Sequence, residues 1–416
     1  MRVVTAVAEL PRHAQPSQFP TLDDVLLLGG IELTRLAERV GRTPFYAYER
    51  SHIISRVAQL RRTLPEGVRL HYALKANPMP AVVQLMAGLV DGFDVASGGE
   101  MKIALDAGMA PGRVSFAGPG KRDEELRCAV AAGVLLHLES EREMERAACV
   151  GAELGMTPRV AVRVNPDFEL KLAGMKMGGG PRPFGVDAER VPAMLQRMER
   201  LGLDFHGFHI FCGSQNLSAA AICEAQRLSV ELGLRLGSHA RAPLRMLNIG
   251  GGFGVPYFPG ERALDLAAVA GELDQSLHLL RQAAPETDLV LELGRYLVAE
   301  GGVYVCRVLE RKRSHGQTFL VTDGGLHQHL AASGNFGQVI RKNFPVAIGN
   351  RMHAAASETV SVVGPLCTPL DLLADRMELP RAEAGDLVVV FQSGAYGLTA
   401  SPTAFLSHPL PLEVLV

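Results

Sequence analysis

The sequence lacks the features that mark several large classes of protein. Its formal net charge is only -2, from 42 basic and 44 acidic residues, which argues against nucleic acid as the main partner. Its apolar stretches are too short and too often interrupted to cross a membrane, and the first ten residues lack the apolar core of a secretory signal. The six cysteines form no CxxC pair, so neither a metal site nor a disulfide framework is indicated. The expected compartment is therefore the cytoplasm.

The length and composition are those of a globular protein. With 416 residues, 47% of them hydrophobic and 21% charged, the chain is long enough for a large domain and a second one. It contains no internal repeat and no low-complexity segment. Prolines break up the first residues, and the spacing of apolar residues then predicts an amphipathic helix over about Leu22–Val40.

Strands and helices alternate from Phe45 to about residue 300. Eight such strands in roughly 250 residues are typical of a (β/α)8 barrel, although periodicity alone is also compatible with an open, doubly wound sheet. The predicted strands are Val68–Leu74, Gly92–Val95, Val114–Ala117, Leu135–Leu138, Arg159–Val164, Phe205–Phe211, Met246–Ile249 and Leu289–Glu292. The predicted helices between them include Glu124–Ala132, Ser140–Leu154, Val191–Leu201, Ser218–Leu234 and Leu264–Ala284.

Short β-rich segments separated by turns follow residue 300. They are Val303–Leu309, Phe319–Thr322, Ser361–Val363 and Leu387–Phe391, a pattern that predicts a mainly antiparallel β domain. We therefore predict three parts: a segment of residues 1–44 that packs with the C-terminal domain, a barrel of residues 45–300, and a β domain of residues 301–416.

Lys75 lies at the end of the first barrel strand, where Asn77-Pro78 begins a turn. The carboxyl ends of barrel strands carry the chemistry in this architecture. Burial there would lower the pKa of the lysine and leave a neutral amine able to form a Schiff base. An isolated lysine at a loop edge is more often simply solvated, so the assignment depends on the motifs that accompany it.

A glycine-rich loop, residues 248–254, follows the seventh strand and contains Gly251 and Gly252. Its backbone N–H groups could bind a phosphate, with Ser214 at the end of the sixth strand beside them. A plain tight turn is equally compatible, because no Walker or dinucleotide motif is present. On the sixth strand, His209 and Phe211 are expected to point into the barrel, and His209 by itself would be a core histidine.

The eighth strand ends in Glu292-Leu293-Gly294-Arg295. A carboxylate inside a barrel is costly unless a partner shares its charge. A protonated pyridine nitrogen would be one such partner, and Arg295 would be another. Later in the chain, Cys367 lies in a β-domain loop and Tyr396 lies between glycines, although a lone cysteine is usually inert.

Taken together and in this order, the motifs resemble the fold-type III pyridoxal-phosphate decarboxylases, which include diaminopimelate, ornithine and arginine decarboxylases. The resemblance extends from about Thr43 to Val416. It implies a barrel followed by a β domain, pyridoxal 5'-phosphate as the cofactor, and a homodimer with shared active sites. Cys367 and Tyr396 both lie in the β domain, which a single subunit need not bring over its own Lys75.

The resemblance also implies site residues. Lys75 would be the Schiff-base lysine and Cys367 the proton donor contributed by the other subunit. The implied cofactor-binding residues are Lys75, Asp94, Arg163, His209, Phe211, Ser214, Gly251, Gly252, Glu292, Gly294, Arg295 and Tyr396. The implied substrate residues are Arg295, His327, His329, Thr368, Asp371 and Tyr396.

Three departures from the family pattern concern specificity. Phe211 stands where the family usually has a histidine stacked on the cofactor, and Thr368 stands where an acidic residue usually binds a distal amine. The arginine and tyrosine that grip the distal carboxylate of diaminopimelate are missing after Asp323-Gly324-Gly325. The Cys367-Thr368-Pro369-Leu370-Asp371 loop, together with the His- and Asn-rich stretch of residues 327–335, resembles the exosortase-associated branch, which is similar to decarboxylases of carrier-tethered aminoacyl groups.

The sequence therefore predicts α-decarboxylation of an amino acid or of an aminoacyl conjugate. Within the same cofactor class, the alternatives are diaminopimelate decarboxylase itself and a racemase. A non-catalytic pyridoxal-phosphate carrier would need neither the Cys367 loop nor Tyr396. A barrel aldolase that forms a Schiff base with sugar phosphates is the alternative that ignores the resemblance. No metal, nucleic-acid or membrane partner is expected.

Overall fold

The computed structural model describes residues 13, 18–168, 175–176 and 178–416. Eight parallel strands form a closed barrel, with each strand paired to the next along the chain and the eighth paired to the first. The strands are Val68–Ala73, Gly92–Val95, Val114–Phe116, Leu135–Leu138, Arg159–Asn165, Asp204–Ile210, Met246–Gly251 and Asp288–Leu293. The closure, with Leu289 opposite Val68 and Leu293 opposite Tyr72, excludes the open sheet and confirms the (β/α)8 barrel.

Helices connect successive barrel strands. They are Pro80–Ala87, Gly98–Asp106, Asp123–Ala132, Glu141–Leu154, Val191–Arg200, Ala219–Gly237 and Leu266–Ala283. Serine caps begin three of them, since the hydroxyls of Ser97, Ser140 and Ser218 each accept a hydrogen bond from the backbone N–H three residues later. Arg50–Thr63 precedes the first strand, and the short helix Arg295–Val298 follows the eighth.

A second sheet is built around the long strand Gly302–Ser314. Most of its pairings are antiparallel, as predicted, and two are parallel. Three of its strands, including the last one, are not predicted by the sequence pattern. The other strands are Phe45–Tyr48, Gln317–Thr322, Val346–Ile348, Glu358–Val363, Leu372–Leu379, Leu387–Val390 and Leu412–Leu415.

The predicted helix Leu22–Val40 is wrong over its first half. Thr21–Leu22, Val25–Leu28 and Ile31–Glu32 form a small antiparallel sheet, and the helix is confined to Leu33–Val40. The reason is local, because Asp23-Asp24 and Gly29-Gly30 all have positive φ angles and make two tight turns. The helical spacing of the apolar residues is thus overridden by turn residues.

Phe45–Tyr48, placed by the sequence analysis at the start of the barrel, pairs instead with Gly302–Val305 in the second sheet. The N-terminal segment packs on the same sheet, where Leu26, Leu33 and Leu36 contact the buried face formed by residues such as Val389. The backbone N–H of Leu26 also donates to the carbonyl of Gly349 at 2.8 Å. Residues 1–12 and 14–17 of the predicted N-terminal segment lie outside the described residues.

Within the described ranges, no helix is long and apolar enough to span a membrane.

Candidate active site

Lys75 lies at the mouth of the barrel, in the single turn Leu74–Ala76 that follows the first strand. Its Nζ is 3.6 Å from Oε1 of Glu292 on the eighth strand; the lysine side chain is 43% exposed and the glutamate side chain only 5%. Desolvation lowers the pKa of Lys75, but Glu292 and Tyr396 outweigh it and hold this pKa above its ordinary value. The expected lowering of the lysine pKa is therefore wrong for this arrangement.

Glu292 is the centre of a buried polar group. Its Oε2 lies 3.2 Å from Nε2 of His209, whose Nδ1 is 3.0 Å from Nδ1 of His137. Burial raises the pKa of Glu292, but Lys75 and the hydrogen bond from His209 outweigh it, so this pKa is held well below its usual range. The carboxylate is therefore ionised inside the barrel.

His209 and Phe211 occupy different depths. The sixth strand ends at Ile210, so His209 contacts Glu292 within the barrel whereas Phe211 lies at the mouth. The Phe211 ring centroid is 5.4 Å from Nζ of Lys75. Gly250 has a φ of +68°, and a Cβ there would lie 2.6 Å from the Phe211 ring. Phe211, not His209, is thus the ring beside the lysine.

The glycine-rich loop packs tightly against the Ser214 loop. A Cβ on Gly252 would lie 2.0 Å from the carbonyl oxygen of Gly213, and one on Gly251 would lie 2.1 Å from that of Glu292. The backbone N–H of Asn216 donates to the carbonyl of Gly252 at 3.0 Å. These approaches require glycine, and they bring the backbone of the loop beside Ser214 at the barrel mouth.

Arg295 lies at the amino end of the short helix after the eighth strand. Its Nη1 donates to the hydroxyl of Tyr257 at 3.0 Å, and its guanidinium carbon is 4.6 Å from the centroid of the Tyr396 ring. Its Nε is buried and has no hydrogen-bond partner among the described residues. An unpartnered buried guanidinium nitrogen is a group that an anion would satisfy.

Tyr396 reaches the Lys75 turn of its own chain. Its backbone N–H donates to the carbonyl of Ala76 at 2.8 Å, and the Asn77 amide donates to the carbonyl of Gly394 at 3.0 Å. Gly294 approaches the same turn from the other side, since a Cβ there would lie 2.9 Å from Cβ of Ala76. One subunit therefore supplies both Lys75 and Tyr396 to the site.

Asp94 and Arg163 each contact a charged or titratable partner near the mouth. Oδ2 of Asp94 lies 3.3 Å from Nδ1 of His71, and Nη1 of Arg163 donates to Oε1 of Glu139 at 2.8 Å. Burial lowers the pKa of His71, but Asp94 outweighs it, so the net shift is upward. Glu139 also accepts the backbone N–H of Gly185 at 2.9 Å, which fixes the carboxylate in place.

Neither of the two predicted substrate histidines lies in an open position. His329 is buried in the second sheet, where its Nε2 is 2.8 Å from Oγ of Ser393, and burial lowers its pKa to about 3. His327 is also buried, with its ring centroid 5.0 Å from that of His408. Burial and the charge of His408 lower the pKa of His327 to about 4. Both rings are therefore neutral at pH 7.

Asp371 joins two loops. Its Oδ1 accepts the backbone N–H of Leu326 at 2.7 Å, and its Oδ2 accepts that of Leu366 at 2.8 Å. In the same loop, the Thr368 hydroxyl accepts the N–H of Leu370 at 3.3 Å, and Cys367 is exposed. Both Asp371 oxygens are thus engaged by backbone N–H groups, whereas Cys367, Pro369 and Leu370 of the same loop are exposed.

Sequence reasoning missed several residues of the site, among them His137 and Glu139. These two follow the same rule as Lys75, because they stand two residues apart at the carboxyl end of the fourth strand, Leu135–Leu138. Asn77 and Tyr257 had no such signal. No cluster of residues suited to a metal ion occurs in the part of the chain that the structure describes.

Residues 50–299 match the family described as pyridoxal-dependent decarboxylase, pyridoxal binding domain. The chain is 38% identical to L-glutamyl-[BtrI acyl-carrier protein] decarboxylase of Niallia circulans, over 92% of this chain and 91% of that protein. It is 30% identical to diaminopimelate decarboxylase of Aquifex aeolicus, over 95% of this chain and 91% of that one. It also resembles the crystal structure of diaminopimelate decarboxylase from Helicobacter pylori complexed with L-lysine, with a TM-score of 0.81, 27% identity and coverage of 92% and 94%.

The buried position of His329 leads to a prediction about acid stability. Its pKa is about 3 in the folded protein and about 6.5 unfolded, so its contribution to stability is complete above pH 6.5 and is lost as the pH falls toward 3. In His329→Gln, unfolding should take up about one proton fewer in this pH range. The measurement is the free energy of unfolding by denaturant from pH 4 to 7. The exposed His239→Gln variant is the control and should keep the wild-type pH dependence. If the free energy of unfolding changed with pH equally in wild type, His329→Gln and His239→Gln, the effect assigned to His329 would be contradicted.

Proposed function

The chain belongs to the pyridoxal-dependent decarboxylases, and we propose that it removes the α-carboxylate of an aminoacyl conjugate whose distal end is uncharged. The protein is a carboxy-lyase that uses pyridoxal 5'-phosphate. One observation carries the proposal about the site. Lys75 lies 3.6 Å from Glu292 at the mouth of the closed barrel, and Arg295, which follows the same strand as Glu292, has a buried Nε without a partner among the described residues.

The residues at the mouth fit this cofactor. A phosphate needs backbone donors and a cation; the loop of Gly251 and Gly252, packed against Ser214, would supply the donors, and Arg295, whose Nε has no partner among the described residues, would supply the cation. A pyridine nitrogen needs an ionised partner to stay protonated, and Glu292 is a buried carboxylate with a depressed pKa. When bound, the cofactor supplies an electron sink for the electron pair left by the departing carboxylate.

The chain's own residues divide the remaining work. Lys75, at the mouth beside Glu292, is the amine that would hold the cofactor through its aldehyde, and a substrate amine would compete for the same position. Phe211 lies against the lysine and gives the cofactor ring an apolar surface. Tyr396, stacked on Arg295 and bonded through its backbone to Ala76, closes the phosphate end of the site. Cys367 donates a proton to the α-carbon after carbon dioxide has left.

The preference for an uncharged distal end follows from the groups that could meet it. Thr368 offers a hydroxyl, and both oxygens of Asp371 are engaged by backbone N–H groups. His327 and His329 are neutral at pH 7, so neither supplies a positive charge to a distal carboxylate. An unpaired charge in a water-poor site costs several kcal/mol. A thioester or an amide avoids this cost.

A carrier-tethered substrate has such an end. The relative from Niallia circulans, 38% identical over 92% of this chain, is named for a glutamyl group on an acyl-carrier protein. We propose a substrate of that class for this chain. Diaminopimelate is the second candidate, because relatives named diaminopimelate decarboxylase are 30–33% identical to this chain.

We also propose that the active unit is a homodimer. Cys367 is exposed on its loop, and several large apolar side chains near it are exposed as well. Nη2 of Arg341 donates to the carbonyl of Leu372 at 2.9 Å, which joins the segment carrying three of them to the strand that follows the Cys367 loop. These side chains are Phe336, Val339, Ile340 and Leu370. A second subunit would cover this patch and take up Cys367.

A cytoplasmic location is proposed for the same protein. All six cysteines are free, including the exposed Cys128, Cys149 and Cys367. Free, exposed thiols are typical of a reducing compartment.

The role of Lys75 is tested by absorbance. Lys75→Ala should lose both turnover and the cofactor's absorbance near the visible edge, because no other amine lies beside Glu292 in the described residues. Borohydride reduction should attach the cofactor's mass to the peptide that contains Lys75. The exposed Lys102→Ala variant is the matched control and should behave as wild type. A Lys75→Ala protein that keeps the band and the activity would refute the assignment.

The shared site is tested by mixing inactive variants. If Cys367 acts in the partner's site, exchange between Lys75→Ala and Cys367→Ala should restore about a quarter of the wild-type activity, because half of the dimers would hold one intact site. Mixing Lys75→Ala with Glu292→Ala should restore none, since both residues belong to one subunit's site. Absence of recovery in the first mixture, despite demonstrated exchange, would place Cys367 in its own subunit's site.

Substrate choice is tested by carbon dioxide release. Glutamyl-pantetheine and related thioesters should be preferred over meso-diaminopimelate, lysine and ornithine, by up to roughly 10⁴-fold in kcat/KM, because none of Thr368, Asp371, His327 and His329 offers a partner to a distal charge. Thr368→Glu should narrow the difference for the amine-ended substrates. The same change at Thr359, exposed on the second sheet, should leave it unaltered. Equal turnover of lysine and the thioesters by the wild-type enzyme would overturn the proposed specificity.

A further inference from the structure

Two buried histidines extend from Glu292 into the barrel interior as a chain of contacts: His209 lies beside the carboxylate and His137 beside His209. His137 comes from the fourth strand, His209 from the sixth and Glu292 from the eighth, and all three side chains are buried. The Nδ1 atoms of the two histidines are 3.0 Å apart, and Nε2 of His209 is 3.2 Å from Oε2 of Glu292. Alternate strands normally fill one layer of such a barrel with branched apolar side chains. Here the fourth, sixth and eighth strands instead contribute polar side chains, His137, His209 and Glu292, each in contact with the next.

The contacts around His137 determine where the protons lie. Its Nε2 is buried and has no hydrogen-bond partner among the described residues, so a proton there would be an unpaired buried donor. Burial above all holds the pKa of His137 well below its usual range, and the charge of Lys121, whose ammonium donates to the carbonyl of His137 at 2.8 Å, acts in the same direction. His137 is therefore neutral, with its single proton on Nδ1.

This proton fixes the state of His209. Because His137 donates from Nδ1, the Nδ1 of His209 must accept, and the proton of a neutral His209 must be on Nε2. Nε2 of His209 lies 3.2 Å from Oε2 of Glu292 and has no other partner among the described residues. Oε1 is the oxygen on the side of Lys75 and the barrel mouth. The hydrogen bond from Nδ1 of His137 thus determines which nitrogen of His209 carries the proton and therefore which group Glu292 meets.

We propose that His137 and His209 are positioning residues for Glu292: His137 holds the proton of His209 on Nε2, and His209 in turn holds the carboxylate ionised with Oε1 facing the mouth. The inference rests on the proposed role of Glu292 as partner of the cofactor's pyridine nitrogen. It adds a requirement for two residues that touch neither substrate nor cofactor. Phe211, the aromatic ring at the mouth, has no hydrogen-bonding group that could substitute for them.

The protonation pattern is measured first, in wild-type protein without cofactor. Nitrogen-15 NMR of labelled histidine side chains at pH 7.5 should show one neutral ring protonated on Nδ1 and one protonated on Nε2. The His137→Asn and His209→Gln variants identify these two signals by their loss. A His209 ring protonated on Nδ1, or both rings protonated on Nε2, would overturn the proposal. This outcome is independent of the proposed function, because no cofactor is bound.

Variants then separate positioning from packing. His137→Asn keeps an N–H at the position of Nδ1, whereas His137→Leu removes it. Loss of one buried hydrogen bond should lower kcat about 10-fold in His137→Leu with little change in KM, and His137→Asn should restore most of it. The pH midpoint of the cofactor's visible absorbance should shift by about half a unit or more in the leucine variant only. Equal effects of leucine and asparagine would mean that His137 only packs.

A double variant tests whether His137 acts on Glu292 through His209. His209→Gln keeps an N–H for Glu292 but lacks the ring nitrogen that accepts from His137. His137→Leu should therefore have no further effect on kcat or on the absorbance midpoint in the His209→Gln background. An undiminished effect there would show that His137 acts by another route and would overturn the proposal. Circular dichroism and the thermal midpoint show whether each variant folds. If His137→Leu does not fold, the proposal is still tested by His137→Asn, His209→Gln and the NMR measurement on the wild-type protein.

Discussion

The pairing of the first barrel strand with the eighth is the constraint on which the active site depends. It places Glu292 in register with His71 and brings its carboxylate within 3.6 Å of the Lys75 amine. In an open sheet these two strands would be separate edges, and the lysine would have no carboxylate beside it. Closure therefore positions the site as well as removing the free strand edges.

Electrostatics at the mouth follow from this closure. A single buried carboxylate would take up a proton, but Glu292 lies between the Lys75 ammonium and the N–H of His209 and remains an anion. The same carboxylate raises the pKa of the lysine, against the effect of burial. Each group thus stabilises the charged form of the other, and the pair presents a cation at the surface of the mouth and an anion beneath it. A molecule with an aldehyde and a basic ring nitrogen meets both groups.

The second sheet is part of the site and not an appendage. Its 394–396 turn is bonded to the backbone of Ala76 and to the side chain of Asn77, directly beside Lys75. The ring of Tyr396 then lies over Arg295. Because these contacts are within one chain, Tyr396 reaches the Lys75 turn without a second subunit. The base of the exposed Cys367 loop is held separately, by the two backbone hydrogen bonds of Asp371.

Short-range sequence patterns were sufficient to locate the barrel strands and to give the order of the motifs along the chain. Alternating apolar runs and the residues at their ends located Lys75, the glycine loop and Glu292, because strand ends and glycine turns are local features. Local patterns failed at Leu22–Val40, where two pairs of turn residues outweigh helical spacing, and at Phe45–Tyr48, whose sheet is decided by a partner strand near residue 302. They also could not separate the roles of His209 and Phe211, which depend on where the strand ends.

The sequence by itself determined the residues at the strand ends, since each is set by a few neighbouring positions. The barrel and the cofactor were implied by the resemblance that the order of the motifs carries, because periodicity alone also allows an open sheet. Only the tertiary structure decided which of those residues share a hydrogen bond or a charge. The sign of the Lys75 pKa shift, the engagement of Asp371 by backbone, the neutral state of His327 and the line from His137 to Glu292 all depend on contacts between distant segments. Such contacts follow from barrel closure and sheet packing, and no spacing along the chain encodes them.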